Sequence, residues 1–176
     1  MHAIDLISAD IVPLKPTDLV GLAQERMEEL KLAHLPVVES GRLVGLVSER
    51  ALQENGGPAT PVRGAMDQVE LPYVRGPQHV YDVVKLLMER GLSMVPVLDV
   101  EGRYLGAVNE HTALLRLSEV TNVREPGSVL VLEVNAIDYS LQQIARIVEG
   151  NDAKVLSVYC HPLPDSRRME VVLKIN

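Results

Sequence analysis

Hydrophobic residues in the first third of the chain predict a helix, two short strands and a second helix. After Pro16 the apolar positions recur at the spacing of an amphipathic helix, and Thr17 has a residue type that caps helices. These positions are Leu19, Leu22, Ala23, Met27 and Leu30. Apolar runs at 35–38 and 43–47 flank a polar turn at 39–41, which indicates a hairpin. Ser48 is a suitable N-cap for the second helix.

The same order of elements returns about sixty residues later. A second helical stretch follows Pro77 and ends at Gly91. Its apolar face consists of Val80, Val83, Val84, Leu87 and Met88. Apolar runs at 94–98 and 104–108 flank the turn 99–102, and Asn109 then stands where Ser48 stands in the first copy. Matched elements in matched order predict two copies of one small unit, packed together about a pseudo-twofold axis.

The last third of the chain does not continue the repeat. An alternating stretch at 128–134 predicts a strand, and residues 141–148 have helical spacing. Ser140 and Gln143 fit a capping box at the start of this helix, and Gly150 is suited to its end. Residues 155–159 and 169–175 predict two further strands. The predicted order is strand, helix, strand, strand.

These patterns predict an α+β fold in four parts. We place the first repeat at 1–58 and the second at 59–120, each with the order βαββα. A Gly- and Pro-rich stretch at 55–61 is the expected loop between them. Residues 121–127 have the composition of a linker, and a truncated βαββ module occupies 128–176.

Composition narrows the function classes. The chain has 176 residues, with 24 acidic against 17 basic side chains and a formal charge of −7. An acidic chain without Trp or Phe offers few phosphate contacts and few stacking platforms, so we expect no nucleic-acid partner. No apolar run approaches the ~20 residues of a membrane span, and the N-terminal residues carry acids where a signal peptide carries bases. We therefore expect a soluble cytoplasmic protein with no membrane partner.

Catalytic and metal-binding motifs are missing from the sequence. No two of the five histidines have the three- or four-residue spacing of a helical metal site, and no phosphate-binding loop or nucleophile elbow occurs. The single cysteine, Cys160, excludes an internal disulfide and a cysteine-based zinc site. Its neighbour His161 falls on the opposite face of a strand, so we expect a part-buried thiol and a solvent-facing imidazole. The sequence predicts a protein that is not an enzyme.

The duplicated segment resembles a tandem pair of cystathionine-β-synthase (CBS) domains over Ile4 to Ser118. The stretches that carry the resemblance are Leu35-Pro36-Val37-Val38 with Gly45-x-x-Ser48, and Val95-Pro96-Val97-Leu98 with Gly106-x-x-Asn109. The resemblance implies a cleft between the repeats that holds an adenosine nucleotide, with AMP, ADP, ATP or S-adenosylmethionine as candidate effectors. It also implies a homodimer formed through the CBS helices.

The CBS resemblance further implies which residues bind the effector. His34, Ser93 and Met94 would contact the base beside the strand prolines Pro36 and Pro96. Ser48 and Asn109 would hold the ribose or phosphate, and Arg50 and His111 would be the nearest cations. Ala51 and Thr112 occupy the position at which the family has a ribose-binding Asp. Ser48 and Asn109 are equally explained as helix caps, and the other residues as strand-edge or solvated side chains. A degenerate pair that only dimerises therefore stays open as the alternative.

The third module resembles the first four elements of an ACT domain, a small regulatory βαββαβ fold. Asp138-Tyr139-Ser140-Leu141-x-x-Ile144 and Asn151-Asp152-Ala153-Lys154-Val155 carry this resemblance. The second helix and fourth strand are missing, so we expect a longer natural chain or a partner subunit over the open face. The loop 136–140 has no Gly, which disfavours an amino-acid effector and favours dimerisation by sheet-edge pairing. The combination resembles CBS–ACT regulatory proteins of the acetoin-utilisation type. From the repeat and the linker composition we expect a ligand-linked or constitutive change of angle between the repeats to pass through the linker to this module.

Overall fold

The computed structural model describes residues 1–55, 57–67, 70–164 and 166–176. The chain divides into two compact units, Met1–Arg116 and Leu117–Asn176. The first unit holds the duplicated segment. The second holds the end of its last helix and the third module.

The first repeat is built on one antiparallel hairpin flanked by two helices. Its elements are α1 (Val20–Leu30), β1 (His34–Glu39), β2 (Arg42–Ser48) and α2 (Glu49–Asn55). The predicted leading strand is reduced to one bridge, in which Leu14 pairs in parallel with Val37. Pro13 and Pro16 lie on either side of Leu14 and have no N–H to donate, so the ladder does not extend.

The second repeat has the same plan with a longer leading strand. Its elements are β3 (Val74–Arg75), α3 (Val80–Arg90), β4 (Met94–Leu98), β5 (Tyr104–Asn109) and α4 (Glu110–Val120). β3 pairs in parallel with β4, and β4 pairs in antiparallel with β5. His34 lies opposite Ser48 in the first hairpin, as Met94 lies opposite Asn109 in the second. Both hairpins also break register at the same place, after Val37 and after Val97, so the duplication extends to the backbone irregularities.

One hydrophobic core spans the two repeats. The inward positions of α1 and α3 are each at most 5% exposed. They are Val20, Ala23, Met27, Val80, Val83 and Leu87. Burial of each larger side chain contributes roughly 1.5–3 kcal/mol. Neither repeat alone covers the apolar face of its own hairpin. Packing the helices and hairpins of the two repeats together buries the apolar faces of both repeats.

The segment ahead of each repeat crosses to the other repeat. Ser8 donates its N–H to the carbonyl of Ala107 on β5 (2.9 Å), while Asp67 and Leu46 on β2 exchange two backbone hydrogen bonds (2.7 and 3.0 Å). A glycine beside each contact leaves room for the crossing chain. A Cβ on Gly106 would lie 2.3 Å from Ile7 Cγ2, and one on Gly45 would lie 3.1 Å from the carbonyl oxygen of Asp67. The two motif glycines are therefore explained by close approach of the crossing segment, through the Ile7 side chain at Gly106 and through the Met66 side chain and Asp67 backbone at Gly45.

The third module is a three-stranded antiparallel sheet with one helix. It contains β6 (Ser128–Asn135), α5 (Leu141–Glu149), β7 (Val155–Pro162) and β8 (Arg168–Ile175), in the sheet order β6-β8-β7. Val148, Val171 and Leu173 form its buried centre, while Val129 and Val131 on β6 are more than half exposed. Ser140 accepts the Gln143 N–H as the predicted N-cap (3.4 Å). The order βαββ is as predicted.

Two local predictions are wrong, the cap at Thr17 and the burial of Cys160. The N-cap of α1 is Leu19 rather than Thr17, because the carboxylate of Asp18 instead accepts the N–H of Lys15 (2.9 Å) in a turn before the helix. Met88 belongs to the predicted apolar face of α3 but is 78% exposed, on the outer side of the helix. Cys160 is exposed rather than part-buried. Its side chain contacts the hydroxyl of Tyr139, and this hydrogen bond raises the pKa of the phenol.

Candidate functional site

Both repeats contribute to a cavity of about 420 Å³, which we call the first cleft. His34 stands at the start of β1, and Leu46, Ser48 and Ala51 follow along β2 and α2. The crossing segment adds Asp67, Glu70 and Pro72, and the end of α3 adds Arg90 and Leu92. These nine residues line the cleft. It is therefore assembled only when the two repeats pack together.

A second cavity of about 360 Å³, the second cleft, has the corresponding place in the other repeat. The end of α1 supplies Leu30, Lys31 and Leu32, the start of β4 supplies Ser93, and the start of α4 supplies Asn109, Glu110 and His111. Each cleft thus combines the helix end of one repeat with the strand start and the capped helix start of the other. The two clefts are related by the pseudo-twofold axis of the unit.

Helix capping uses the same two side chains that were predicted to hold a ribose or phosphate. Ser48 Oγ accepts the N–H of Ala51 (3.1 Å), and Asn109 Oδ1 accepts the N–H of Thr112 (2.7 Å). A serine hydroxyl keeps its own proton for donation after accepting one bond, and an asparagine keeps its NH₂ group. Capping therefore leaves each cleft with a hydrogen-bond donor.

His34 and Ser93 form a polar bridge between the repeats and between the clefts. Ser93 Oγ accepts the backbone N–H groups of Ala33 and His34 (3.0 Å each). The backbone N–H of Ser93 in turn donates to His34 Nδ1 (3.2 Å). A ring nitrogen that accepts a hydrogen bond carries no proton, so the neutral imidazole holds its proton on Nε2. Burial lowers the pKa of His34, opposed in part by the negative charge of Glu110.

The structure does not bring all of the predicted site residues together. Pro36, Met94 and Pro96 are buried within their strands, and Met94 is fully enclosed in the core. Arg50 is exposed and pairs with Glu54 on α2 (3.6 Å). Thr112 contributes its backbone N–H to the cap of α4. These five residues do not line either cleft, whereas His34 and Ser48 line the first and Ser93, Asn109 and His111 line the second.

Sequence reasoning missed the charged residues of the clefts. Asp67 and Glu70 belong to the crossing segment, and Lys31 and Arg90 to the ends of the helices of the opposite repeat. No motif marks these four positions. The signal that could have found them is the pairing of repeats, which places the end of each helix beside the hairpin of the other copy. Among the described residues, no three His, Cys, Asp or Glu side chains form a metal site, and no helix is long and apolar enough to cross a membrane.

Comparison with known families identifies the repeats. The CBS domain family matches this chain twice, at residues 3–55 and 62–119. Among curated proteins, an inosine-5'-monophosphate dehydrogenase of Methanocaldococcus jannaschii is 20% identical over 171 residues. The match takes in 97% of this chain but spans only 34% of the length of that enzyme.

Solved structures share the fold. A CBS domain pair/ACT domain protein of Thermotoga maritima is 22% identical, with a TM-score of 0.60 over 68% of this chain and 98% of its own. The structure of CBSX2 in complex with AMP is 23% identical, with a TM-score of 0.57 over 68% of this chain and 97% of its own. The cytosolic domain of the Mg²⁺ channel MgtE in complex with ATP is 26% identical, with a TM-score of 0.53 over 63% of this chain and 46% of its own.

Proposed function

Because this chain belongs to the CBS-domain family, we propose that it is a non-enzymatic regulatory module that binds an adenosine compound between its two CBS repeats. Two observations on relatives support the proposal, since CBSX2 was solved with AMP and the MgtE cytosolic domain with ATP. The observation that carries it here is the pair of clefts, each built from both repeats. AMP, ADP, ATP and S-adenosylmethionine are the candidate effectors.

The first cleft has the chemistry to hold a nucleoside. Leu46, Pro72 and Leu92 provide apolar surface for a base. Ser48 retains a hydroxyl proton, and His34 has a ring N–H on Nε2 for which no partner occurs among the described residues. A few convergent donors beside apolar walls are typical of small-molecule sites. Because each cleft draws on both repeats, a bound ligand would favour one angle between them.

Relay of that change to the third module is part of the proposal. α4 begins at the second cleft, and its last residues, 117–120, belong to the second compact unit. We place the linker at 121–127, and the kinship of the third module with ACT domains remains a prediction. We further propose that the protein acts in the cytoplasm as a homodimer formed through its CBS helices.

Specific observations favour a second candidate function, a scaffold that dimerises without a ligand. Ala51 lines the first cleft where the family has a carboxylate, so one pair of ribose contacts is missing. Several apolar side chains also lie on outer helical surfaces, with Met88 78%, Leu114 67% and Leu115 39% exposed. These surfaces suit a subunit interface.

A thermal-shift screen followed by calorimetry tests the proposal. The panel is AMP, ADP, ATP, S-adenosylmethionine, NADH and the twenty amino acids. A ligand at 100 times its Kd stabilises the folded state by about 2.7 kcal/mol, which raises the unfolding midpoint visibly. We expect a shift with at least one adenosine compound and its loss in Ala51→Trp, which fills the first cleft, or His111→Trp, which obstructs the second.

Glu25→Gln is the matched control, because Glu25 is exposed on α1 and lines neither cleft. A shift with amino acids alone would move the site to the third module. No shift with any compound, together with a dimer in analytical ultracentrifugation, would establish the scaffold instead.

A further inference from the structure

The charged side chains of the first cleft sum to a negative charge. The carboxylates of Asp67 and Glu70 line it together with one guanidinium, that of Arg90. Arg90 Nη2 lies 3.9 Å from Glu70 Oε2, so its positive charge is already opposed by a carboxylate. Burial lowers the pKa of His34, which keeps this imidazole neutral near pH 7. Two negative groups therefore stand against one positive group.

The second cleft has the opposite tendency. Lys31 and His111 line it with a single carboxylate, that of Glu110. The formal charges of Lys31 and Glu110 cancel, so this cleft lacks the excess negative charge of the first. The cleft also contains the first residues of α4, an 11-residue helix, and the N-terminus of a helix carries a partial positive charge. Lys31 and the N-terminus of α4 therefore favour an anionic ligand here, whereas the carboxylates of the first cleft disfavour one.

We propose that the first cleft selects its ligand by charge, accepting adenosine compounds with a neutral or cationic tail and disfavouring phosphorylated ones. The ligands that fit are the nucleoside itself and an adenosine sulfonium. This assignment rests on the proposed adenosine-binding function and adds to it the charge class of the ligand. Phosphorylated nucleotides would bind in the second cleft instead.

Distance makes the selection effective. A cavity of about 420 Å³ is small enough that any bound group lies within a Debye length, about 8 Å at physiological salt, of both carboxylates. A phosphate brought there meets like charges and loses its hydration, which is unfavourable. A sulfonium or ammonium group instead gains attraction from the same carboxylates. The apolar walls and the Ser48 hydroxyl contact the nucleoside part, which all these ligands share. The charge of the tail therefore determines the difference in affinity between them.

Calorimetry on the full chain with adenosine, S-adenosylmethionine, AMP and ATP tests the proposal. We expect adenosine and S-adenosylmethionine to bind the first cleft more tightly than AMP or ATP does. Ala51→Trp should remove the binding of the first two. In a separate variant, Glu70→Gln, the affinity for AMP should increase and the affinity for S-adenosylmethionine should decrease, each by about three- to fivefold. This is the size of the effect expected from one partly screened charge pair. Glu25→Gln is the matched control, because it removes the same charge outside both clefts.

Salt dependence provides a second readout that does not depend on whether Ala51→Trp folds. Raising ionic strength from about 0.01 to 0.15 M shortens the Debye length from about 30 to 8 Å. S-adenosylmethionine binding should weaken, and adenosine binding should stay nearly constant. Equal or tighter binding of AMP in the first cleft, or an unchanged preference in Glu70→Gln, would overturn charge selection while leaving the adenosine site intact. Absence of binding by all four ligands would overturn the proposed function itself and charge selection with it.

Discussion

The two CBS repeats share a backbone but differ where their side chains face the clefts. The hairpin register is the same in both, with His34 opposite Ser48 and Met94 opposite Asn109. His34 nevertheless borders the first cleft, while Met94 is fully buried. At the preceding position, Ala33 in one repeat faces Ser93 in the other. Ser93 Oγ accepts the backbone N–H groups of Ala33 and His34, and Ala33 has no side-chain oxygen that could return these bonds, so the same backbone frame has a polar bridge on one side only.

The largest effect is expected at the glycines that admit the crossing segments. Gly106→Ala should cost about 2–4 kcal/mol of unfolding free energy, because its φ is +155° and the new Cβ would meet Ile7 Cγ2 at 2.3 Å. Gly45→Ala should cost less, about 1 kcal/mol, since its Cβ would meet the Met66 sulfur at 3.0 Å and the Asp67 carbonyl oxygen at 3.1 Å, contacts that small shifts relieve. Urea denaturation measures both.

Gly64→Ala is the control for these two variants, because a Cβ there meets nothing within 4 Å. Equal losses of unfolding free energy in Gly45→Ala and Gly106→Ala would show that the two crossings are equally tight. That result would contradict the distances, which are 3.0 Å at Gly45 and 2.3 Å at Gly106.

Ser93→Ala should be next in size. It removes the oxygen that accepts the N–H groups of Ala33 and His34, and leaving part-buried donors unpaired costs about 1–3 kcal/mol. Ser93→Thr should restore most of the stability, since it keeps the hydroxyl. Ala33→Ser, at the matching position of the first repeat, should change little. A thermal midpoint that is the same in Ser93→Ala and in the wild type would rule out the bridge as a stabilising contact.

Ala51→Asp should strengthen adenosine binding about tenfold, or ~1.4 kcal/mol, because a carboxylate in the first cleft can accept bonds from the ribose diol. The gain should be smaller for AMP, whose phosphate would meet a further negative charge. Thr112→Asp should have a weaker effect than Ala51→Asp, since Thr112 does not line the second cleft. Calorimetry compares the two variants, and a larger gain from Thr112→Asp would reverse the assignment of the better ribose site.

Acid should weaken the first unit slightly through His34. Its pKa is lower in the folded protein than the usual value of about 6.5, so the unfolded chain binds the proton more readily. The stabilisation is complete above about pH 6.5 and is lost as the pH falls through that value towards the folded pKa. His34→Asn keeps an acceptor for the Ser93 N–H but does not titrate.

Unfolding free energies at about pH 7.5 and 5.5, which bracket the usual histidine pKa, measure the effect. The decrease should be smaller in His34→Asn than in the wild type, and unchanged in the exposed-site control His161→Gln. Identical slopes in all three proteins would show that His34 does not contribute.

The apolar pattern was sufficient to predict the elements and their duplication. Helices α1 and α3, both hairpins and the βαββ order of the third module lie where the spacing of hydrophobic residues placed them. Ser48, Asn109 and Ser140 cap helices as their residue types indicate. These features depend on interactions between residues a few positions apart in the chain, so the sequence alone is enough to predict them. Thr17 shows the limit, because the competing turn formed by Asp18 displaced the helix start.

Only the tertiary structure decided the composition of the clefts. Asp67 reaches the first cleft because its segment crosses to β2, and Arg90 because α3 ends beside the other repeat. Met94 was predicted to contact the base, but packing between repeats enclosed it in the core. Local spacing determines which face of an element is apolar. Which charges meet in a cavity depends on contacts between residues far apart in sequence, and those contacts form only when both repeats fold together.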